Sequence, residues 1–316
     1  MPSISISSAA TTATSRTCAS WRARKRRAND AGVQFAGSVR EAVAGPSDSI
    51  ASFGGGPVVF RGLCASWAAC DWDAATVCAA MPELRVSRSD SGTFPYDGGQ
   101  ECPGGPMASA EFFRRLRSAP PHLYCHGNVL PDALARDAPT PPLLRGCSVA
   151  RRSLWISGSG ASSPLHYDLP NVLLCQLHGS KVVHLYSPAL HDEMAPRAET
   201  FPALAAHERI ATTRRADLGL ARSLSVTLRA GDALFMPPGW WHDVTSVGHG
   251  GPGMEACVSV GLNWPEVGDA IGLLAPWKRH TRYPILTQGD VLARHYGPER
   301  AGQMAAQVPG WCAPVF

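Results

Sequence analysis

From residue 153 to residue 263 the chain falls into eight short runs rich in apolar and β-branched residues, each closed by glycine, proline or aspartate. They are Ser153 to Ser157, Leu165 to Asp168, Val172 to Leu177, Lys181 to Tyr186, Ser223 to Leu228, Ala233 to Met236, Trp241 to Val244 and Ala256 to Asn263. Short runs bounded by turn formers read as strands. They do not alternate regularly with helical segments, so a parallel α/β sheet is excluded and a β-sandwich or barrel is expected. The turn-forming residues are abundant throughout, with 31 glycines and 27 prolines. No apolar run approaches the ~18 residues of a membrane-spanning helix, so a soluble protein with no membrane contact is expected.

Upstream the texture is mixed. A helix-like stretch is expected from Gly37 to the turn signal Gly54-Gly55-Gly56-Pro57, followed by a strand at Val58-Val59-Phe60. Asp71 or Asp73 can cap a short helix running to about Met81, because a carboxylate accepts from the free N–H groups of the first turn. Glu83 to Ser87 alternates like a half-buried strand, Ser91 to Pro106 reads as a Gly/Pro-rich loop, and Ser109 to Ser118 as a helix with Phe112, Phe113 and Leu116 on one side. Beyond Trp264 the helical candidates are Asp290 to Tyr296 and Glu299 to Gln307. They offer a surface through which two copies could form a homodimer.

Charge separates the N-terminus from the rest. Residues 1–29 carry six basic residues and no acid; removing those six from the total of 29 leaves 23 basic against 25 acidic residues, a balance of −2. Such a near-neutral body gives no bulk electrostatic argument for nucleic-acid binding. The Ser/Thr/Ala/Arg-rich segment 1–35 is expected to stay outside the fold as a basic tail. It resembles an organellar transit peptide on an otherwise intracellular protein, with a nuclear address at Arg22 to Arg27 or a plain solvated tail as alternatives. The ten cysteines form no C-x-x-C pair and several lie in apolar runs, so buried reduced thiols are expected in place of disulfides or a zinc knuckle.

The chemistry concentrates in the strands. On a strand, residues i and i+2 leave the same face, so His166 and Asp168 converge while Tyr167 points away. One imidazole and one carboxylate are two-thirds of the donor set that binds non-haem ferrous iron. His242 supplies the third: it follows the apolar strand Ala233 to Met236 and a Pro237-Pro238-Gly239 turn that would present it on the same rim. Three donors on one face of an octahedron leave room for a bidentate 2-oxo acid and dioxygen. Such a co-substrate needs a cation for its distal carboxylate. Lys181 interrupts an apolar sequence where an unpaired ammonium would be costly; the alternative is a turn lysine after Gly179-Ser180 facing water.

Taken in order, His166-Tyr167-Asp168, Leu173 to Lys181, Leu185-Tyr186-Ser187-Pro188, Gly231 to Pro237 and Trp240-Trp241-His242 resemble the JmjC, or cupin-like, hydroxylase family. Pro57 to Leu63 and Trp67 are similar to that family's first strand, and the likeness covers about residues 55 to 265. It implies a mainly β fold with a double-stranded β-helix (jelly-roll) core and flanking N- and C-terminal helices. It also implies Fe(II), 2-oxoglutarate and dioxygen, with succinate and carbon dioxide as co-products. His166, Asp168 and His242 match the metal ligands, Lys181 the partner of the distal carboxylate, and Ser163 and Tyr124 hydroxyls that help hold it. Two positions depart from the pattern. Val172 stands where many relatives carry Asn, with Asn171 one place earlier. Asn263 matches a late-strand Asn near the C1 carboxylate, a place that Gly261 takes if the count starts from Trp264.

The resulting division is a basic segment 1–35, a catalytic domain 36–264 made of an α/β part (36–145) and a barrel core (146–264), and a helical extension 265–316. Short chains of this family resemble protein hydroxylases and the tRNA wybutosine-synthesising hydroxylases more than multidomain demethylases. The expected activity is hydroxylation of a macromolecule, a protein side chain before a tRNA base. Alternatives from other classes are a non-catalytic cupin-like sensor, which a missing ligand or lysine would favour, and a metal-dependent cupin isomerase. His178, His184 and His191 read as structural or solvent-facing, Trp240 and Trp241 as packing beside the substrate mouth, and Arg114, Arg115 and Arg117 as a solvated helix face.

Overall fold

The computed structural model describes residues 37–94 apart from 46 and 54, 105–116, 122–168 apart from 148 and 150, 170–190, 209–211 and 223–264. The basic segment 1–35, the C-terminal helices and the dimer surface they would form, His191 with the rest of 191–208, residues 212–222 and Arg117 lie outside the described residues.

Two sheets carry the fold. In chain order the strands are β1 (Gly37–Ser38), β2 (Arg40–Ala42), β3 (Val58–Phe60), β4 (Glu83–Ser89), β5 (Gly105–Ala108), β6 (His122–Val129), β7 (Arg151–Ser157) and β8 (Ser162–Asp168). There follow β9 (Asn171–His178), β10 (Ser180–Tyr186), β11 (Arg209–Ala211), β12 (Leu224–Arg229), β13 (Ala233–Met236), β14 (Trp241–Ser246) and β15 (Cys257–Trp264). One sheet is ordered β1-β12-β10-β14-β8-β11 and the other β2-β3-β13-β9-β15-β7-β6-β4-β5. From β7 to β10, and again from β12 to β15, successive strands fall in alternate sheets. That weave is a double-stranded β-helix, and the fold is mainly β, as expected.

The nine-stranded sheet is covered on both faces, which is why β9 is buried along nearly its whole length. Its Val172 and Leu174 face the six-stranded sheet, packing with Val183, Leu185, Val226, Leu228, Leu234 and Met236. Its Leu173, Cys175 and Leu177 face the other way, into a cluster with Trp72, Val77, Phe112 and Leu134. The helix Ala74–Ala80 in that outer layer is capped by Asp73, whose carboxylate accepts from the Thr76 N–H at 2.7 Å.

Two elements differ from the sequence reading, and a third, β6, is added to it. The stretch after Gly37 is not one continuous helix: β1 pairs parallel to β12 and β2 parallel to β3, Val39 between them is buried in the interior cluster, and Ile50–Phe53 form a short 3-10 helix. A single inward residue flanked by exposed ones leaves too short a pattern to tell the two periods apart. The end of the Gly/Pro-rich loop is strand β5, with Pro106 tolerated because β5 is the sheet edge. Strand β6 is interrupted by Gly127 and Asn128, turn formers that here mark a bulge.

Candidate active site

Cross-strand partners point to the same side of a sheet, so one inward residue orients its neighbours. Leu185 faces the interior; opposite it stands His242, and opposite His242 stands His166. Both histidines therefore project between the sheets, joined by Asp168 two residues along β8. Tyr167 leaves from the outer face and packs edge-on against Trp241, 4.7 Å between ring centres.

A bulge sets the aim of this strand. Register passes from His242 opposite His166 to Val244 opposite Ser163, so Pro164 and Leu165 together face Asp243 alone. Proline has no N–H to offer a ladder and is at home there. The Pro164 carbonyl accepts a hydrogen bond from His166 Nδ1 at 2.7 Å, and the Trp240 carbonyl accepts from His242 Nδ1 at 2.9 Å. A carbonyl only accepts, so both Nδ1 atoms carry a proton, and in the neutral imidazole that leaves the lone pair on Nε2. The turn before His242 is strapped to the same place, the Gly239 N–H donating to the Asp168 carbonyl at 3.1 Å.

One donor atom from each of His166, Asp168 and His242 lies within 4.8 Å of the other two, and all three residues are buried. His242 Nε2 and Asp168 Oδ2 are 3.8 Å apart, too long for a hydrogen bond. Two imidazoles fixed in the ligating tautomer, plus one carboxylate, fit a divalent ion such as Fe(II).

Lys181 shares the inward face of β10 with Val183 and Leu185 and is only 2% exposed. The strand begins at once after Gly179, whose positive φ of 69° and 3.1 Å clearance from the Gly248 carbonyl at the Cβ position require glycine. The Lys181 ammonium lies 5.7 Å from the centre of the Tyr124 ring. Two hydroxyls that the sequence reading did not single out stand beside this pair. Ser246 is opposite Lys181 and Ser157 opposite Tyr124, and their hydroxyls are 2.8 Å apart. Both are small polar residues ending apolar strands, a signal indistinguishable in sequence from an ordinary turn approach.

The family described as Cupin-like domain matches residues 51–270. The chain belongs to this JmjC-type, cupin-like family. Similar proteins include the lysine-specific demethylase JMJ31 of Arabidopsis thaliana, 33% identical over 125 residues that cover 37% of this chain and 23% of the relative. The Jumonji C domain-containing protein 5 of Drosophila melanogaster is 38% identical over 103 residues, 29% of this chain and 24% of the relative. An HSPB1-associated protein 1 homolog of Danio rerio is 35% identical over 106 residues, 30% and 22% respectively. The matched part thus spans about a quarter of the length of these relatives.

Within the cupin-like domain the remaining candidates separate by face. Ser163 is buried and points inward with Val244. Asn263 points inward from the opposite sheet, across from Val172, and Gly261 lies on the same face. A Cβ on Gly261 would sit 3.2 Å from Trp155 Nε1 and 3.4 Å from Asn263 Oδ1, so Gly261 makes room and Asn263 carries the amide. Asn171 leaves β9 on the outward side, so the inward position four residues after Asp168 is apolar Val172.

His184 lies on the outer face of the six-stranded sheet, its Nδ1 3.0 Å from Asp243 Oδ1, and burial lowers the pKa of His178. Trp241 is fully buried, whereas half-buried Trp240 packs against the interior cluster. Arg114 and Arg115 both pair with Glu111 on an exposed helix face. No helix of the described residues is long and apolar enough to cross a membrane.

Proposed function

We propose that this protein is an Fe(II)- and 2-oxoglutarate-dependent dioxygenase that hydroxylates a macromolecule, in first place a protein side chain. The carrying observation is the buried convergence of His166, Asp168 and His242, with each imidazole Nδ1 committed to a backbone carbonyl. These three residues would hold the metal. Lys181 would pair with the distal carboxylate of 2-oxoglutarate, with Tyr124, Ser163, Ser157 and Ser246 supplying hydroxyls nearby and Asn263 an amide toward the C1 end. With iron and 2-oxoglutarate bound, the centre supplies dioxygen activation: one oxygen atom enters a substrate C–H bond, the other enters succinate, and carbon dioxide leaves. The apolar walls from Val172, Leu174 and Met236 exclude bulk water from that reaction.

Filled ligand positions and a buried Lys181 weigh against a non-catalytic sensor. Hydroxylation at an N-methyl carbon would release the methyl group as formaldehyde, so the name of the Arabidopsis relative extends the same chemistry to demethylation. The charge balance of −2 beyond residue 29 favours polypeptide over tRNA, since an RNA ligand requires several phosphates to be neutralised. The test is 2-oxoglutarate turnover to succinate, followed by mass spectrometry of protein and tRNA fractions for a gain of one oxygen or loss of a methyl. Tight, strongly salt-dependent tRNA binding by a chain lacking residues 1–29 would overturn the polypeptide preference.

A further inference from the structure

Strand β6 contains a second bulge, and its placement is built with some care. Register with β7 passes from Cys125 opposite Ile156 to Asn128 opposite Leu154, leaving His126 and Gly127 together against Trp155. Gly127 adopts φ 65°, and its missing Cβ leaves space 3.5 Å from an Arg151 guanidinium nitrogen and 3.9 Å from the Trp155 ring. On the other side, β4 pairs with β6 through Val86 and Cys125, so the next residue, Arg85, loses its ladder partner at the bulge. The Asn128 side chain replaces it: its Oδ1 accepts from the Arg85 N–H at 2.8 Å and its Nδ2 donates to the Arg85 carbonyl at 2.9 Å.

His126, two residues after Tyr124, shares its inward face, and the repaired bulge sets it with Gly127 against Trp155. Its ring stacks on Trp155, 6.3 Å between centres and 30° between planes, and lies 5.6 Å from the Tyr124 ring. Its Nε2 is 2.7 Å from the hydroxyl of buried Ser87. A continuous line therefore runs from Ser87 through His126 to Tyr124 and so to Lys181.

We infer that His126 is a positioning residue of the co-substrate pocket: clamped by Ser87, it holds the Tyr124 and Trp155 rings that wall the interior beside Lys181. The inference rests on reading Lys181 as the partner of the 2-oxoglutarate distal carboxylate. A clamped wall raises affinity because the rings need not be ordered when the ligand arrives.

The test is calorimetric titration of 2-oxoglutarate into the full chain loaded with Mn(II), comparing wild type with His126→Ala, His126→Phe, Ser87→Ala and Lys181→Ala. His126→Ala is expected to weaken binding by about three- to tenfold, the loss of two ring contacts, with Mn(II) affinity kept. His126→Phe should restore part of it by keeping the ring, and Ser87→Ala should fall between. Unchanged affinity in His126→Ala beside a large loss in Lys181→Ala overturns the inference alone. Unchanged affinity in both overturns the co-substrate reading with it. Should His126→Ala fail to fold, Ser87→Ala decides: weakened binding upholds the clamp and unchanged binding refutes it.

Discussion

Ser163 and His166 point into the same interior although they stand three positions apart on one strand. In an unbroken strand that spacing would send them to opposite faces. The extra residue at Pro164-Leu165 restores the match, and the carbonyl it exposes fixes the His166 tautomer. Deleting Leu165 would leave Ser163 two residues before His166, still on the inward face of a now regular strand, but would remove the bulge whose carbonyl holds His166 Nδ1. The expected result is a chain with lower Mn(II) affinity from a loosened His166, whereas Ser163→Ala should weaken 2-oxoglutarate alone. Paired titrations of the two variants check this.

Lys181 separates function from stability. Lys181→Met should weaken 2-oxoglutarate binding by about tenfold to a hundredfold, from loss of a charge-assisted hydrogen bond worth ~1.5–3 kcal/mol. Because it replaces a buried ammonium by a thioether of similar length, the melting temperature without ligand should not fall. Calorimetry with and without 2-oxoglutarate reads both. Loss of stability with unchanged binding would assign Lys181 a structural role.

Trp241 supports the strands that carry His166, Asp168 and His242 from behind, through its edge-on contact with Tyr167 and its place next to His242. Trp241→Ala should destabilise the fold by about 3–5 kcal/mol, and Trp241→Phe by much less. Denaturant unfolding monitored by circular dichroism measures the difference.

The thiols should behave as core residues. A hydrogen bond with Cys175 and then burial raise the Cys64 pKa, a hydrogen bond with Cys64 raises that of Cys70, and burial pushes Cys125 up to about 12. Only the thiolate is nucleophilic, so these cysteines should resist iodoacetamide at pH 8 in the native protein and react on unfolding. Peptide mapping by mass spectrometry shows which were modified.

Much of this was legible in the chain itself. The eight strands of the core were bounded by glycine, proline and aspartate, and the i, i+2 rule paired His166 with Asp168 before any coordinates. Lys181 could be argued from the cost of an ammonium in an apolar run. Both bulges escaped that reading, because a strand with one extra residue keeps its composition and loses its period. Hence Ser163 matched a family position without a geometric reason, and His126 drew no notice beside Gly127. Ser157 and Ser246 become neighbours only when β7 and β14 face each other across the interior, a relation between distant segments that no local pattern encodes. The placing of Asn263 and Gly261 on one and the same inward face likewise comes from the register of β15 against β9.

Anaerobic titration of Fe(II) into wild type and His242→Ala, with 2-oxoglutarate-dependent succinate formation measured on the same samples after air is admitted, bears most directly on the proposed centre. The wild type should bind a single ferrous ion per chain and release succinate, while His242→Ala keeps its circular dichroism spectrum but loses tight iron binding and succinate release together. Succinate formation at the wild-type rate by His242→Ala would contradict the assignment.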